Sequence, residues 1–258
     1  MWSQLISYLI YFKQAQTKFK VHSPFVYDLI TNCLEKPLDK KQLQQFRDFK
    51  KELLKSETII QVEDFGAGST VFNSNERKVK DIASIAGMSE SKAKLVLKLT
   101  SYFKPLQILE IGTSIGIGTH VIKTGIPQAK IITLEGCPNT AKFALDKWEE
   151  NYQERLEIIV GEFSKTLPQV TNMKKFDMIY FDGNHQIKPT LAYFEQCMKS
   201  IHNNTFFIFD DIHLSNQMEQ AWQEICQHPQ VRVSIDLFTV GLIFFKKELT
   251  KQNFILKI

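Results

Sequence analysis

Ile108-Leu-Glu-Ile-Gly112-Thr-Ser-Ile-Gly116-Ile-Gly118-Thr-His120 decides how this 258-residue chain is read. An apolar run meets a glycine-bearing turn, and residues suited to a helix start follow. That order reads as strand, tight turn, helix. Glycines let a backbone turn sharply and approach a ligand. In open α/β sheets ligands bind beyond the carboxyl ends of the strands, so the turn is the first candidate binding site. Two phosphate-binding readings fail. No register of these glycines gives G-x-G-x-x-G, and no Gly-Lys-[Ser/Thr] is present.

Downstream the rhythm repeats. Strand-like apolar runs cover Gln107–Ile111, Lys130–Leu134, Leu156–Val160, Phe176–Phe181 and Thr205–Phe209, with helical segments between most of them. Continuous apolar runs alternating with helices imply a parallel sheet buried on both faces. Val231–Leu237 and Val240–Lys246 then follow closely. Phe238-Thr239 between them is too short for a crossover, so this pair is antiparallel. The expected fold is α/β: a Rossmann-like, doubly wound, mostly parallel seven-stranded sheet ending in an antiparallel hairpin. That arrangement resembles the class I methyltransferases.

Upstream, residues 1–87 read as an N-terminal helical cap, and 88–258 as the sheet domain. Trp2, Leu5, Ile6, Leu9 and Ile10 recur at helical spacing, which predicts a docked amphipathic helix. Ser23-Pro24 opens a helix to about Leu34, and Asp39 caps another to about Leu54. Glu76–Ala86 reads as a third helix ended by Gly87. Ser89 caps a fourth, which runs to Phe103 and stops at Lys104-Pro105.

Composition excludes several classes. Hydrophobic residues make up 43% and charged residues 23%, as in an ordinary folded domain. Cys33, Cys137, Cys197 and Cys226 have no metal or redox spacing, which fits free thiols in a reducing compartment. The N-terminal apolar stretch is too short to span a bilayer, so a cytoplasmic protein without membrane association is expected. The net charge is +4, and the basic excess lies in residues 1–104, with 17 Lys and Arg against 11 Asp and Glu. Such a face serves nucleic acid, an anionic substrate or plain solvation. A homodimer stays open.

The turn residues resemble the E-x-G-T-x-x-G-x-[GS]-T version of methyltransferase motif I. The resemblance implies S-adenosyl-L-methionine held by Glu110, Gly112, Thr113, Ser114, Gly116 and Gly118, with Glu110 and Gly112 at its amino-acid end. Glu135, followed by Gly136, ends the second strand, where a carboxylate can take both hydroxyls of a ribose. Glu162 and Phe163 follow the third strand, where this family reads adenine. Phe163 reads equally well as core.

Asp182-Gly-Asn-His185 closes the fourth strand, and Asp210-Asp211-Ile-His213 closes the fifth. Carboxylates at neighbouring strand ends repel unless a proton or cation lies between them. Hard oxygen ligands suit Mg²⁺ or Ca²⁺. Here the chain resembles the metal-dependent catechol and caffeoyl-coenzyme A O-methyltransferases. They place a metal Asp after strand four, an Asp-Asn pair after strand five, and a lysine base three residues past the first Asp. The resemblance implies a divalent cation on Asp182, Asp210 and Asp211, with Asp182 also near the cofactor and His185 in the place of the base. This chain departs from the pattern in Asp211 and in His185. The alternative is that Asp182 touches cofactor or substrate while Asp210 or Asp211 caps the helix near Ser215. The expected activity is methyl transfer to an oxygen of a small molecule.

Two further stretches need a reading. Val79–Leu97 resembles a helix-turn-helix, with Lys92, Lys94 and Lys98 available to phosphates. No arginine there reads guanine, so nucleic-acid binding ranks below methyl transfer, as does an RNA methyltransferase using the basic face. Val21-His-Ser-Pro-Phe-Val-Tyr-Asp28 and Val62-Glu-Asp-Phe-Gly-Ala-Gly-Ser69 look like blocks of uncharacterised bacterial class I methyltransferases. Gly66-Ala-Gly68-Ser69 reads as a turn at the pocket mouth rather than a second cofactor loop.

Overall fold

The computed structural model describes residues 2–63, 74–148 and 155–257. The Gly66–Ser69 turn lies outside them. The chain begins with α1 (Trp2–Gln14). Ser23 then accepts a hydrogen bond from the Val26 amide, and α2 (Pro24–Leu29) follows with proline in its first turn. Its end widens into a π turn over Ile30–Leu34. Asp39 caps α3 (Lys40–Leu53) through the Lys41 amide.

β1 (Ile59–Gln61) pairs antiparallel with β2 (Glu76–Lys78), and α4 (Val79–Ile85) follows directly. The helix expected from Glu76 therefore begins three residues late. Pairing with β1 buries Arg77 and overrides the local helical preference. Ser89 caps α5 (Glu90–Phe103), which ends at Lys104 in a left-handed conformation.

The α/β unit runs β3 (Gln107–Ile111), α6 (Ile117–Gly125), β4 (Lys130–Glu135), α7 (Pro138–Trp148), β5 (Leu156–Val160), α8 (Phe163–Thr171) and β6 (Met178–Phe181). It continues through α9 (Ile187–Cys197), β7 (Phe206–Asp210), α10 (Asn216–Gln227), β8 (Val233–Asp236), β9 (Val240–Phe244) and β10 (Gln252–Ile255). The sheet order is β10-β8-β9-β7-β6-β3-β4-β5. Strands β3 to β7 pair parallel, while β9 is antiparallel to both β7 and β8. The predicted hairpin is present. An eighth strand, β10, extends the predicted seven by pairing parallel with β8.

Strand order reverses beside β3, with β4 on one side and β6 on the other. This is the topological switch point, where the ends of β3 and β6 form a crevice. Every residue of β6 and β7 is buried, as helices on both faces require. One apolar cluster fills each side of the sheet. The first runs unbroken from the cap (Val26, Leu29, Phe46, Leu53) to the sheet (Ile108, Phe206).

The N-terminal helix forms as predicted but does not bury its apolar face. Leu5, Ile6, Leu9 and Ile10 are all exposed. Tyr11 makes the attachment: it is buried and donates its hydroxyl proton to the Leu256 carbonyl. Among the described residues no helix is long and apolar enough to cross a membrane.

Candidate functional site

The turn after β3 is built on three left-handed residues: Gly112 (φ 103°), Ser114 (φ 50°) and Gly116 (φ 85°). The Gly112 and Thr113 amides donate to the Leu134 carbonyl at 3.0 and 3.1 Å, which fastens the turn to β4. Gly116 is the N-cap of α6 and offers no side chain to the first turn. The amides of Ile117, Gly118 and Thr119 thus have no intrahelical acceptor, and they suit the carboxylate of an amino-acid ligand.

Glu110 is not at that surface. It has no exposure at all. Its Oε2 accepts from the hydroxyls of Thr119 and Thr133, the latter at 2.7 Å. A Cβ built on Gly118 would lie 2.6 Å from Oε1. Burial pushes Glu110 up to about 7, against the two hydroxyl donors that favour its charge. The carboxyl braces the turn from beneath. The expectation that it holds the cofactor's amino-acid end is corrected on this ground: no ligand reaches a fully covered side chain.

Glu135 stands at the carboxyl end of β4 and is half-buried. Its oxygens accept from the Ser114 amide at 2.8 Å and the Cys137 amide at 2.9 Å. Burial raises it, and these amides, with those of Gly136 and Thr113, pull it back. Two acceptor oxygens beside the turn are what a ribose diol needs. Glu135→Ala is expected to weaken S-adenosylmethionine binding by about 1–3 kcal/mol, the scale of an unpaired polar group, read by titration calorimetry. An unchanged dissociation constant would remove Glu135 from the site.

Glu162 is the N-cap of α8 and pairs with Lys165 at the surface. Phe163 begins that helix and packs on the switch point. A Cβ on Gly183 would meet the Phe163 ring at 2.7 Å, and the ring lies edge-on to Tyr193. Both readings of Phe163 keep their place, because the ring is partly buried at the border of the second cluster.

The ends of β6 and β7 bring the acids together. A Cβ on Gly112 would lie 2.4 Å from the Asp182 carbonyl oxygen, so the cofactor turn touches the acidic edge directly. Asp182 hydrogen-bonds to Asp210. Burial first, then the Asp210 carboxylate, pushes Asp182 well above the usual carboxylate range. Asp210 is raised by burial and by Asp211. Both carboxyls are therefore easier to protonate than a solvent-exposed acid. His185 Nε2 lies 3.8 Å from Asp182 Oδ1, beside the edge. Helix α10 is capped by Ser215, not by either acid.

The counter-charge in this cluster comes from Lys92, in the first turn of α5. Its Nζ lies 2.7 Å from Asp210 Oδ1 and 2.6 Å from Asp211 Oδ1. Burial alone would lower the ammonium, but the two carboxylates more than offset it and hold the lysine above its ordinary range. Divalent ions bind such oxygens at about 2.0–2.6 Å, in the space the ammonium holds. Among the described residues no group of three His, Cys, Asp or Glu side chains is arranged to hold a metal. The acids at 182, 210 and 211 gather as expected, but their geometry does not fit a divalent ion.

Sequence reasoning placed Lys92 on a phosphate-binding helix and missed this role. The available signal was a lysine in a helix's first turn, where the macrodipole disfavours a cation. Lys94 pairs with Glu90, and Lys98 donates to the Leu34 carbonyl. All three lysines of the helix-turn-helix reading are thus engaged within the protein.

Residues 109–212 match the family described as Methyltransferase domain. No curated protein matches the chain in sequence. Among solved structures, the SAH-bound methyltransferase PaMTH1 of Podospora anserina superposes with a TM-score of 0.60 at 15% identity, over 88% of this chain and 97% of that one. An O-methyltransferase of Bacillus cereus in complex with SAH gives 0.54 at 19%, over 85% and 96%. The O-methyltransferase TomG of Streptomyces achromogenes, in complex with SAM, gives 0.53 at 17%, over 86% and 95%. Strand order, glycine turn and matched segment agree: the chain has the class I methyltransferase fold, and its residues 109–212 match a methyltransferase domain.

Proposed function

We propose that the chain transfers a methyl group to an oxygen of a small molecule at the switch point between β3 and β6. The observation that carries this reading is contact between the two halves of the site. The cofactor turn at Gly112 abuts Asp182, and Asp182 is joined to Asp210 and flanked by His185. A ligand held on the turn therefore presents its reactive end to the acids and the imidazole. The O-methyltransferases among the similar structures support oxygen as the acceptor.

The cofactor supplies a sulfonium methyl as electrophile. The protein contributes alignment and a proton acceptor. Glu135 and the α6 amides fix the ligand along the strand ends. The acid edge orients the acceptor by hydrogen bonding, so that its oxygen meets the methyl carbon in line as the carbon–sulfur bond breaks. His185, three residues after Asp182, takes the proton of that oxygen. No step passes through a metal. The four buried free thiols suit a reducing, cytoplasmic setting.

The test is release of S-adenosylhomocysteine in the presence of a panel of phenols and other hydroxylated small molecules, with structured RNA as comparison. A hydroxylated acceptor is expected to be methylated. His185→Ala should lower turnover about 10²–10⁴-fold while leaving cofactor affinity unchanged. Methylation of RNA alone would overturn the reading, and full turnover in His185→Ala would remove the base.

A further inference from the structure

We propose that Lys92 is a built-in counter-cation that takes the place of a divalent metal at the acidic edge, so that this methyltransferase works without one. The metal-free activity rests on the function proposed above. The placement of Lys92 does not.

Three independent features assemble this contact. The first is the origin of the lysine. Ser89 fixes the start of α5 by accepting from the Lys92 amide at 3.3 Å, which sets where the side chain leaves the helix. From there Nζ crosses to the end of β7, 119 residues along the chain. The second is the backbone at the acids. Consecutive strand residues point to opposite faces, so Asp210 and Asp211 would not ordinarily meet one partner. Asp211 leaves β7 in a left-handed conformation (φ 54°), held by its amide on the Thr239 carbonyl at 2.8 Å. That turn brings the second carboxylate to the ammonium that the first already touches. The third is burial. The Lys92 side chain is 12% exposed and the Asp210 side chain 6%, so the pair is sheltered from screening by salt.

An ammonium and a divalent ion satisfy the same need, a positive charge among carboxylates, but they exclude each other. Lys92 fills the position with hydrogen-bond donors rather than with open coordination sites. An acceptor would therefore be aligned by hydrogen bonds from the protein, not by chelation of two neighbouring oxygens. The chemical consequence is that an acceptor with one hydroxyl suffices, with no requirement for a vicinal diol.

The experiment measures metal binding and stability, not turnover, so its failure is distinct from failure of the proposed reaction. Wild-type protein is titrated with Mn²⁺ and followed by the electron paramagnetic resonance of the free ion. Melting temperature is recorded with Mg²⁺, Ca²⁺, Mn²⁺ or EDTA. The expected result is no stoichiometric Mn²⁺ and the same melting temperature throughout. Lys92→Met, which keeps the length and removes the charge, is expected to melt roughly 5–10 °C lower. It should gain one Mn²⁺ per chain and recover part of the loss with the ion. Lys92→Arg should bind none. A wild-type chain that binds one Mn²⁺, released by Asp210→Asn, would overturn the proposal. So would a Lys92→Met protein with unchanged stability and no metal. Should Lys92→Met fail to fold, the wild-type titration and Lys92→Arg still decide.

Discussion

Gly112→Ala is expected to unfold the switch point and abolish cofactor binding together. Gly112 has φ 103°, and a Cβ there would lie 2.4 Å from the Asp182 carbonyl oxygen and 2.8 Å from its carbon. Both neighbours are backbone, so neither can swing aside. The left-handed conformation adds about 1–2 kcal/mol of strain for any L side chain. Relief requires β3 and β6 to separate where the Asp182 amide donates to the Ile111 carbonyl at 2.9 Å. A total loss of about 3–5 kcal/mol is expected by urea denaturation, the scale of a steric clash and backbone strain at a buried position. S-adenosylhomocysteine should give no heat in titration calorimetry. An alanine variant of wild-type stability and affinity would mean that the turn and the acidic edge are not in contact.

The second large effect is a slope of stability with pH carried by Glu110. Burial holds its folded value near 7, against about 4.3 for an unperturbed glutamate. Between those values the unfolded chain gives up this proton and the folded chain keeps it. The unfolded state then binds fewer protons, so stability falls as pH rises through the window and levels off above it. The shift corresponds to about 3–4 kcal/mol. Glu110→Gln keeps the shape and removes the titration. Subtracting wild-type from variant stabilities in urea melts at pH 5, 6, 7 and 8 should isolate the term from the other acids. The variant is expected to gain about 2–3 kcal/mol relative to wild type between pH 5 and 8. A difference that is flat in pH would place the carboxyl in contact with water. It would also restore Glu110 as a residue that can reach the cofactor.

These two residues show how far local sequence carries. Gly112 could be read directly, because a glycine between a strand and a helix has few other uses. Glu110 sits in the same motif but was misplaced. A strand residue points to one face or the other, and the burial of that face depends on what packs there. The hydroxyls of Thr119 and Thr133 close over the carboxylate only once α6 and β4 are in position. The same limit appears at the N-terminus. Helical spacing of Leu5, Ile6, Leu9 and Ile10 correctly gives a helix, but spacing contains no partner, and the face stays exposed. Residues 252–255 are too short and too mixed to announce a strand. They become β10 because the open edge of β8 supplies a register.

Sequence alone determined the alternation of strand and helix, the antiparallel hairpin and the glycine turn. It also determined that Asp182, Asp210 and Asp211 stand at the carboxyl ends of adjacent strands. These follow from short-range rules: apolar periodicity, connection length and the freedom of glycine. Tertiary structure alone decided what neutralises those acids. Lys92 and Asp211 are 119 residues apart, and their contact depends on how α5 lies across the sheet and on one left-handed residue after β7. Charge pattern can say that a cluster of carboxylates needs a cation. Whether the cation is an ion from solution or an ammonium from the chain is a matter of a few ångströms, set by packing between distant elements.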